Sequence, residues 1–173
     1  MPESVNREPM DGRQLRRAFG LFATGVTVIT AEHPDAGLIG VTANSFSSVS
    51  LDPPLILFSL SRRAFSCDLL LQAPAFAINV LRDDQQALSH RFAHAGTDKW
   101  ADVEFRRSAN GVPTLGNVLA TFECVPHVQY DGGDHVIVVG RVVDFGFDPD
   151  GLPLLYFRSH YRTIADEHPV ASP

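Results

Sequence analysis

Between two apolar strand signals, Val26–Thr30 and Leu55–Leu60, the chain carries the run Gly40-Val-Thr-Ala-Asn-Ser-Phe-Ser-Ser-Val-Ser-Leu-Asp-Pro-Pro-Leu55. Small hydroxyl and amide side chains stand there where a buried strand would carry branched apolar ones. A polar stretch wedged into a β core must satisfy its donors and acceptors. Either they bond to local backbone in an Asx or Ser turn, or they face a flat polar ligand. Both readings are open on the run alone; its length in consecutive small polar residues favours the ligand.

The rest of the chain frames that run as part of one mainly β domain. Its 173 residues suffice for a single core without disulfides or structural metal. Residues 11–164 are expected to form the domain, with polar, Pro-containing tails at 1–10 and 165–173. Asp11 can cap a helix with apolar positions Leu15, Phe19 and Phe22, ended by Gly25. Strands are expected at 26–31, 38–43, 55–60 (apolar throughout, hence buried on both faces) and 75–81. Helices are expected from Ser61 to Leu71 and from Asp83 to about Ala95.

The last third alternates. Phe122, Cys124, Pro126, Val128 and Tyr130 interleave with Glu123, Val125, His127 and Gln129, the pattern of a strand with one face in and one out. Asp131-Gly-Gly-Asp134 supplies a tight reversal into a long strand at 135–147, and Asp148-Pro-Asp-Gly151 a second one into Leu154–Phe157. Hairpin connections after residue 96 argue for a closed or nearly closed antiparallel barrel rather than a doubly wound parallel sheet.

Charge and motifs exclude several function classes. Fourteen basic and twenty acidic side chains give a net charge of -6, which is no overall nucleic-acid footprint. The arginine pairs 16–17, 62–63 and 106–107 read as solvated faces, the middle one excepted. No apolar run reaches the length of a membrane span, and the N-terminus has no signal-peptide or lipidation pattern, so a cytoplasmic protein that binds neither membrane nor nucleic acid is expected. Cys67 and Cys124 lie far apart, in no metal or redox spacing, and read as buried thiols. There is no GxGxxG, no GxxxxGK[ST] and no GxSxG. His90 and His94 share a helix face, but no third ligand lies near them in sequence, and no metal site is expected.

At this point the residues resemble a family. Ala23-Thr-Gly-Val-Thr-Val-Ile-Thr30, the run from Gly40 to Pro54, His90-Arg-Phe-Ala93 with Asp98-Lys-Trp100, Gly133-Asp-His135 and Pro153-Leu-Leu-Tyr-Phe-Arg-Ser-His-Tyr-Arg162 follow one another as in the flavin reductases. These are short-chain NAD(P)H:flavin oxidoreductases that supply reduced flavin to two-component monooxygenases. The resemblance implies a split β-barrel of the FMN-binding type that forms a homodimer, with FMN or FAD near the subunit interface and NADH or NADPH as co-substrate. It implies that Thr42, Ala43, Asn44 and Ser45 line the isoalloxazine edge. Ser59, Ser61, Arg62 and Ser66 would form a phosphate cradle, with Arg63 as the alternative cation. Without the family, Ser61 reads as a plain helix cap and Arg62 as solvated.

Arg91, Phe92 and Phe157 would add to the flavin site, although the two phenylalanines equally suit the core. His135 would lie beside the nicotinamide, orienting it for hydride transfer; a lone hairpin histidine is the alternative. Tyr161 and Arg162, expected past the final strand, would close over the site. Two departures stand out. Ser159 occupies a place where glycine is usual after Phe-Arg, and Trp100 one where phenylalanine is usual. Two rival functions share the scaffold: a non-catalytic flavin-binding electron carrier, and a pyridoxamine-phosphate-oxidase-like enzyme.

Overall fold

The computed structural model describes residues 10–96 and 98–164. In chain order these form α1 (Gly12–Phe19), β1 (Thr24–Gly25), β2 (Thr27–His33), β3 (Gly37–Ala43), β4 (Ser47–Leu51), β5 (Pro54–Ser61), α2 (Cys67–Gln72), β6 (Phe76–Val80) and α3 (Gln86–Ala93). β7 (Phe105–Arg107), β8 (Pro113–Leu115), β9 (Ala120–Gly132), β10 (His135–Phe147), β11 (Leu155–Phe157) and β12 (His160–Arg162) follow. Seven strands make the main sheet in the order β3-β2-β6-β9-β10-β5-β4, and every pairing in it is antiparallel.

Chain connectivity dictates the shape of that sheet. Its two edge strands, β3 and β4, are joined only by residues 44–46. Laid flat, seven strands would put the edges about 29 Å apart at roughly 4.8 Å per spacing. Four Cα–Cα steps from Ala43 to Ser47 reach at most about 15 Å. The sheet therefore curls until its edges approach each other. Inside the curl lie Ile29, Ala31, Ile39, Ile56, Phe58, Leu60, Phe76, Ile78, Cys124, Val136 and Val138, capped by Cys67 and Leu70 of α2. Phe46 in the link stacks on Phe122 of β9 with centroids 5.7 Å apart.

A second cluster, Val26, Val28, Leu81, Phe92, Leu115 and Leu154, packs under α3 with Trp100 and Phe105 against it. β2 thus feeds both clusters and is covered on both faces. β5, expected to be covered on both, instead alternates: Ile56, Phe58 and Leu60 are buried and their neighbours half-exposed. Asn79 ties the layers together. Fully buried, it donates to the Val28 carbonyl and to Thr30 Oγ1, each at 2.9 Å, and accepts from the Leu115 N–H at 3.0 Å. Both cysteines are free and buried, and burial pushes the Cys124 thiol up to about 12.

Several expectations need correction. α1 ends at Phe19, not Gly25, and none of its residues is buried. Ser61 caps no helix: the β5–β10 ladder runs on until Ser61 stands opposite His135, so α2 starts only at Cys67. α3 begins at Gln86 and ends at Ala93, inside the expected 83–95. The β7–β8 hairpin, turned through Gly111 at φ 76, was not anticipated, and neither were β4 and β12. The alternation of β9 buries Cys124, but beyond Val125 both faces are largely exposed. The reversal at 131–134 forms as expected, with Gly133 at φ 74. The expected tails lie outside the described residues, except Met10.

Candidate active site

The polar run sits where the two sheet edges meet, and its side chains are held by the protein. Thr42 Oγ1 donates to the Ser89 carbonyl at 2.7 Å. Asn44 Nδ2 donates to Thr24 Oγ1 at 3.1 Å. Ser45 Oγ donates to the Ser59 carbonyl at 3.0 Å and accepts from the Ser59 N–H at 2.9 Å, which stitches the link to β5. Ala43 accepts from Thr27 Oγ1 at 2.7 Å. These bonds fix the backbone of the link between two strands whose outer edges have no neighbouring strand among the described residues.

α3 and the final hairpin converge on this point. Ser89, fully buried on α3, shares a 2.8 Å hydrogen bond with the Tyr161 hydroxyl. Tyr161 lies on β12 rather than beyond the last strand, beside Tyr156 (5.3 Å between centroids) and His90 (5.1 Å). Thr42, Asn44 and Tyr161 are thereby gathered around Ser89 and Thr24. Arg162 is exposed, and among the described residues its guanidinium reaches only the Tyr161 carbonyl, at 3.4 Å. Phe157, on β11, has the Arg158 guanidinium over its ring at 5.1 Å. The β11–β12 turn places Arg158 and Ser159 at φ 50 and 62, the left-handed region in which glycine is favoured.

The phosphate candidates divide. Register puts Ser59 opposite Ile137 and Ser61 opposite His135. Arg62 is tied down: its guanidinium donates to Asp131 at 2.8 Å and to the Gly133 carbonyl at 3.0 Å, and its N–H donates to the Asp134 carbonyl at 3.0 Å. His135 Nδ1 donates to Asp134 Oδ1 at 2.7 Å, and this bond holds the Asp134 carboxyl below its usual range. With Nδ1 so engaged, Nε2 is the ring nitrogen left to face a ligand.

Beside this region a cleft of about 770 Å³ runs between the loop preceding α2 and the end of α3, along the face of β3. Ser66 and Phe92, both expected site residues, line it with Leu38, Val41, Leu69 and Trp100. Phe92 is at the same time fully buried core, seated against Gly40, where a Cβ would come within 2.2 Å of its ring. Arg63 and Lys99 bring positive charge to the cleft. Lys99 Nζ donates to the Phe92 carbonyl at 3.2 Å and the Gly40 carbonyl at 3.5 Å, and burial lowers its pKa. Arg91 points elsewhere, to the Ala101 carbonyl. His94 Nδ1 donates to the His90 carbonyl at 2.8 Å. Sequence reasoning missed Ser89 and Lys99 as parts of this arrangement; the only signal for Ser89 was a small polar residue on the apolar side of α3, three before Phe92.

A family model described as the flavin reductase like domain matches residues 19–165. The chain belongs to the flavin reductase like family. It is 44% identical over 146 residues to the FMN reductase (NADH) SmoA of Agrobacterium fabrum, covering 84% of this chain and 82% of that one. It is 47% identical over 141 residues to the stachydrine N-demethylase reductase subunit Stc3 of Rhizobium meliloti, covering 82% and 61%. Among solved structures it resembles the NADH:FAD oxidoreductase SgcE6 of Streptomyces globisporus in complex with NAD and FAD fragments. That match has a TM-score of 0.86 and 36% identity, covering 94% of this chain and 99% of that one. The chain spans 51% and 61% of the length of two Rhizobium meliloti relatives. A mainly β fold with few helices is common to the family and to this structure. Among the described residues no helix is long and apolar enough to cross a membrane.

Proposed function

We propose that the protein is an NAD(P)H-dependent flavin reductase on a split β-barrel formed by residues 11–164, which works as a homodimer and hands reduced FMN or FAD to a partner monooxygenase by diffusion. The observation that carries this is the likeness in fold, over 94% of the chain and at 36% identity, to the NADH:FAD oxidoreductase SgcE6. The donor set supports it. A flavin nucleotide needs a flat slot with apolar walls and cations for its phosphates, and the cleft joins Val41, Leu69 and Phe92 to Arg63 and Lys99.

A flavin held here would supply the redox chemistry as hydride acceptor, with the nicotinamide as donor. The chain's own part is positioning. The link from Asn44 to Phe46, anchored by Thr42, Asn44 and Ser45, offers backbone donors and acceptors at the sheet edges to the ring's polar rim. Arg63 serves the phosphate, because Arg62 is already paired with Asp131. His135, with Nδ1 held by Asp134, orients the nicotinamide amide through Nε2. Tyr161, anchored on Ser89 of its own subunit, forms a wall.

The test is NADH or NADPH oxidation by the purified chain, with FMN, FAD or riboflavin added. Flavin-dependent loss of nicotinamide absorbance is expected; tight flavin binding without turnover would instead establish the electron carrier. Turnover of pyridoxine phosphate would move the protein to the oxidase-like group.

A further inference from the structure

The backbone and the ring of His135 are held by different elements. Its backbone belongs to the ladder, opposite Gly132 of β9 and Ser61 of β5. Its ring is turned by Asp134, whose Oδ1 accepts from Nδ1 at 2.7 Å. Asp134 itself lies off the ladder, in the two-residue loop Gly133-Asp134 that joins β9 to β10. Gly133 has φ 74, the left-handed side that such tight hairpin loops use and glycine favours, and Gly132 precedes it. Two glycines in succession leave a loop open to many conformations. The side chains of Asp131 and Asp134 are 82% and 83% exposed, so packing does not choose among them.

Arg62 does. It directly follows Ser61, the last residue of β5, and reaches across to the loop three times. Its Nη2 donates to Asp131 Oδ1 at 2.8 Å, its Nε to the Gly133 carbonyl at 3.0 Å, and its backbone N–H to the Asp134 carbonyl at 3.0 Å. These bonds take in both loop residues and the acid on the β9 side. The two side-chain bonds use the rigid fork of the guanidinium, which sets its acceptors at a fixed angle to each other. An ion pair as exposed as this one adds little to stability. What it decides is where the loop sits and, through Asp134, which way the His135 ring points.

We propose that Arg62 is a positioning residue for the nicotinamide step. It fixes the Gly133-Asp134 loop so that Asp134 holds the His135 ring with Nε2 toward the nicotinamide, and it takes no part in holding the flavin phosphate. This rests on the reductase reading and on the place given there to His135. In sequence Arg62 stood beside Ser61 as a phosphate cation; in the fold its fork is spent on the loop.

The experiment compares Arg62→Ala, Arg62→Lys, His135→Ala and the double Arg62→Ala/His135→Ala in the full chain. Arg62→Ala is expected to lower kcat/KM for the nicotinamide nucleotide about tenfold. The flavin dissociation constant, by fluorescence titration, and the melting temperature should stay near wild type. Lysine keeps the charge but not the fork, so Arg62→Lys should recover little. The double variant should be no slower than His135→Ala, because without the ring there is nothing left to position. In 15N-histidine-labelled protein the His135 signals are those lost in His135→Ala. They should show a protonated, hydrogen-bonded Nδ1 in wild type and ring nitrogens averaged by exchange in Arg62→Ala. Additive losses in the double variant, full recovery by lysine, a larger effect on flavin affinity than on the nicotinamide, or His135 signals unmoved by Arg62→Ala would each overturn the proposal. A wild type that oxidises no nicotinamide defeats the reductase reading instead. The His135 signals then still decide whether Arg62 sets the ring.

Discussion

The bond between Ser89 and Tyr161 should be lopsided. Ser89 is fully buried, while Tyr161 is only half-buried and its hydroxyl can turn to water. Ser89→Ala removes one partner and leaves the tyrosine hydroxyl access to solvent, so it should cost about 1 kcal/mol, the net worth of an ordinary hydrogen bond. Tyr161→Phe strands the Ser89 hydroxyl in the interior, where the full desolvation penalty applies, about 2 kcal/mol. Removing both leaves nothing stranded, so the double variant should be more stable than Tyr161→Phe alone. That is a coupling of about 1–2 kcal/mol. In urea, with a slope of about 2 kcal/mol per molar, Tyr161→Phe should lower the midpoint by about 1 M and the double variant by about half of that. Equal costs for the two single changes, or strict additivity in the double, would refute the reasoning. Steady-state NADH oxidation on the same proteins adds a functional readout. Because Ser89 also holds Thr42 through its carbonyl, which neither change removes, KM for flavin should move less than KM for NADH.

Other changes probe the remaining supports. Asn79→Asp puts a carboxylate where Asn79 Nδ2 faces two acceptors in the dry interior, raising the folded-state pKa above the unfolded value of about 3.9. The added destabilisation is therefore absent below about pH 4 and grows with pH, to at most about 4 kcal/mol at pH 7; a urea midpoint that tracks wild type from pH 4 to 7 would contradict this. Gly40→Ala pushes a methyl into the Phe92 ring and should cost about 1–3 kcal/mol of stability by thermal melting. Ser159→Gly relieves a left-handed φ of 62 and should raise stability by about 1 kcal/mol, and an unchanged melting temperature counts against the strain. Arg63→Ala should raise the flavin dissociation constant at least about tenfold and Arg62→Ala much less, because Arg62 is engaged by Asp131; the reverse order in a fluorescence titration would exchange their roles.

What the sequence revealed was local. The hairpin at 131–134, the strands flanking the polar run and the buried cysteines followed from turn chemistry and periodicity, and the family resemblance from motif order. What it hid was set by pairing between distant segments. Ser61 has the makings of a helix cap, but the ladder that sets it against His135 extends β5 through it, and a cap needs a chain free to turn. The apolar spacing of α1 announces its helix, yet none of that helix's residues is buried among the described residues, and periodicity gives the apolar face without what it meets. The 105–115 hairpin has three residues per strand, and its second strand, Pro113-Thr114-Leu115, is buried throughout, too short and without the alternation that would register. Ser89 and Tyr161 lie too far apart in sequence for any motif to join them.

The polar run itself illustrates how a sequence signal and its cause can differ. Its length in small hydroxyl and amide residues suggested side chains aimed at a ligand. In the structure Thr42, Asn44 and Ser45 each bond to the protein, and what they hold in place is a three-residue link bridging the two free edges of a curled sheet. An unpaired sheet edge presents a row of backbone donors and acceptors that must be satisfied by something. A planar ring with alternating carbonyls and ring nitrogens suits such an edge as well as another strand would. On this argument the small polar side chains are required because bulkier ones would block the gap and apolar ones would let the link move. On the proposed function, the recognition chemistry would lie in the backbone they immobilise.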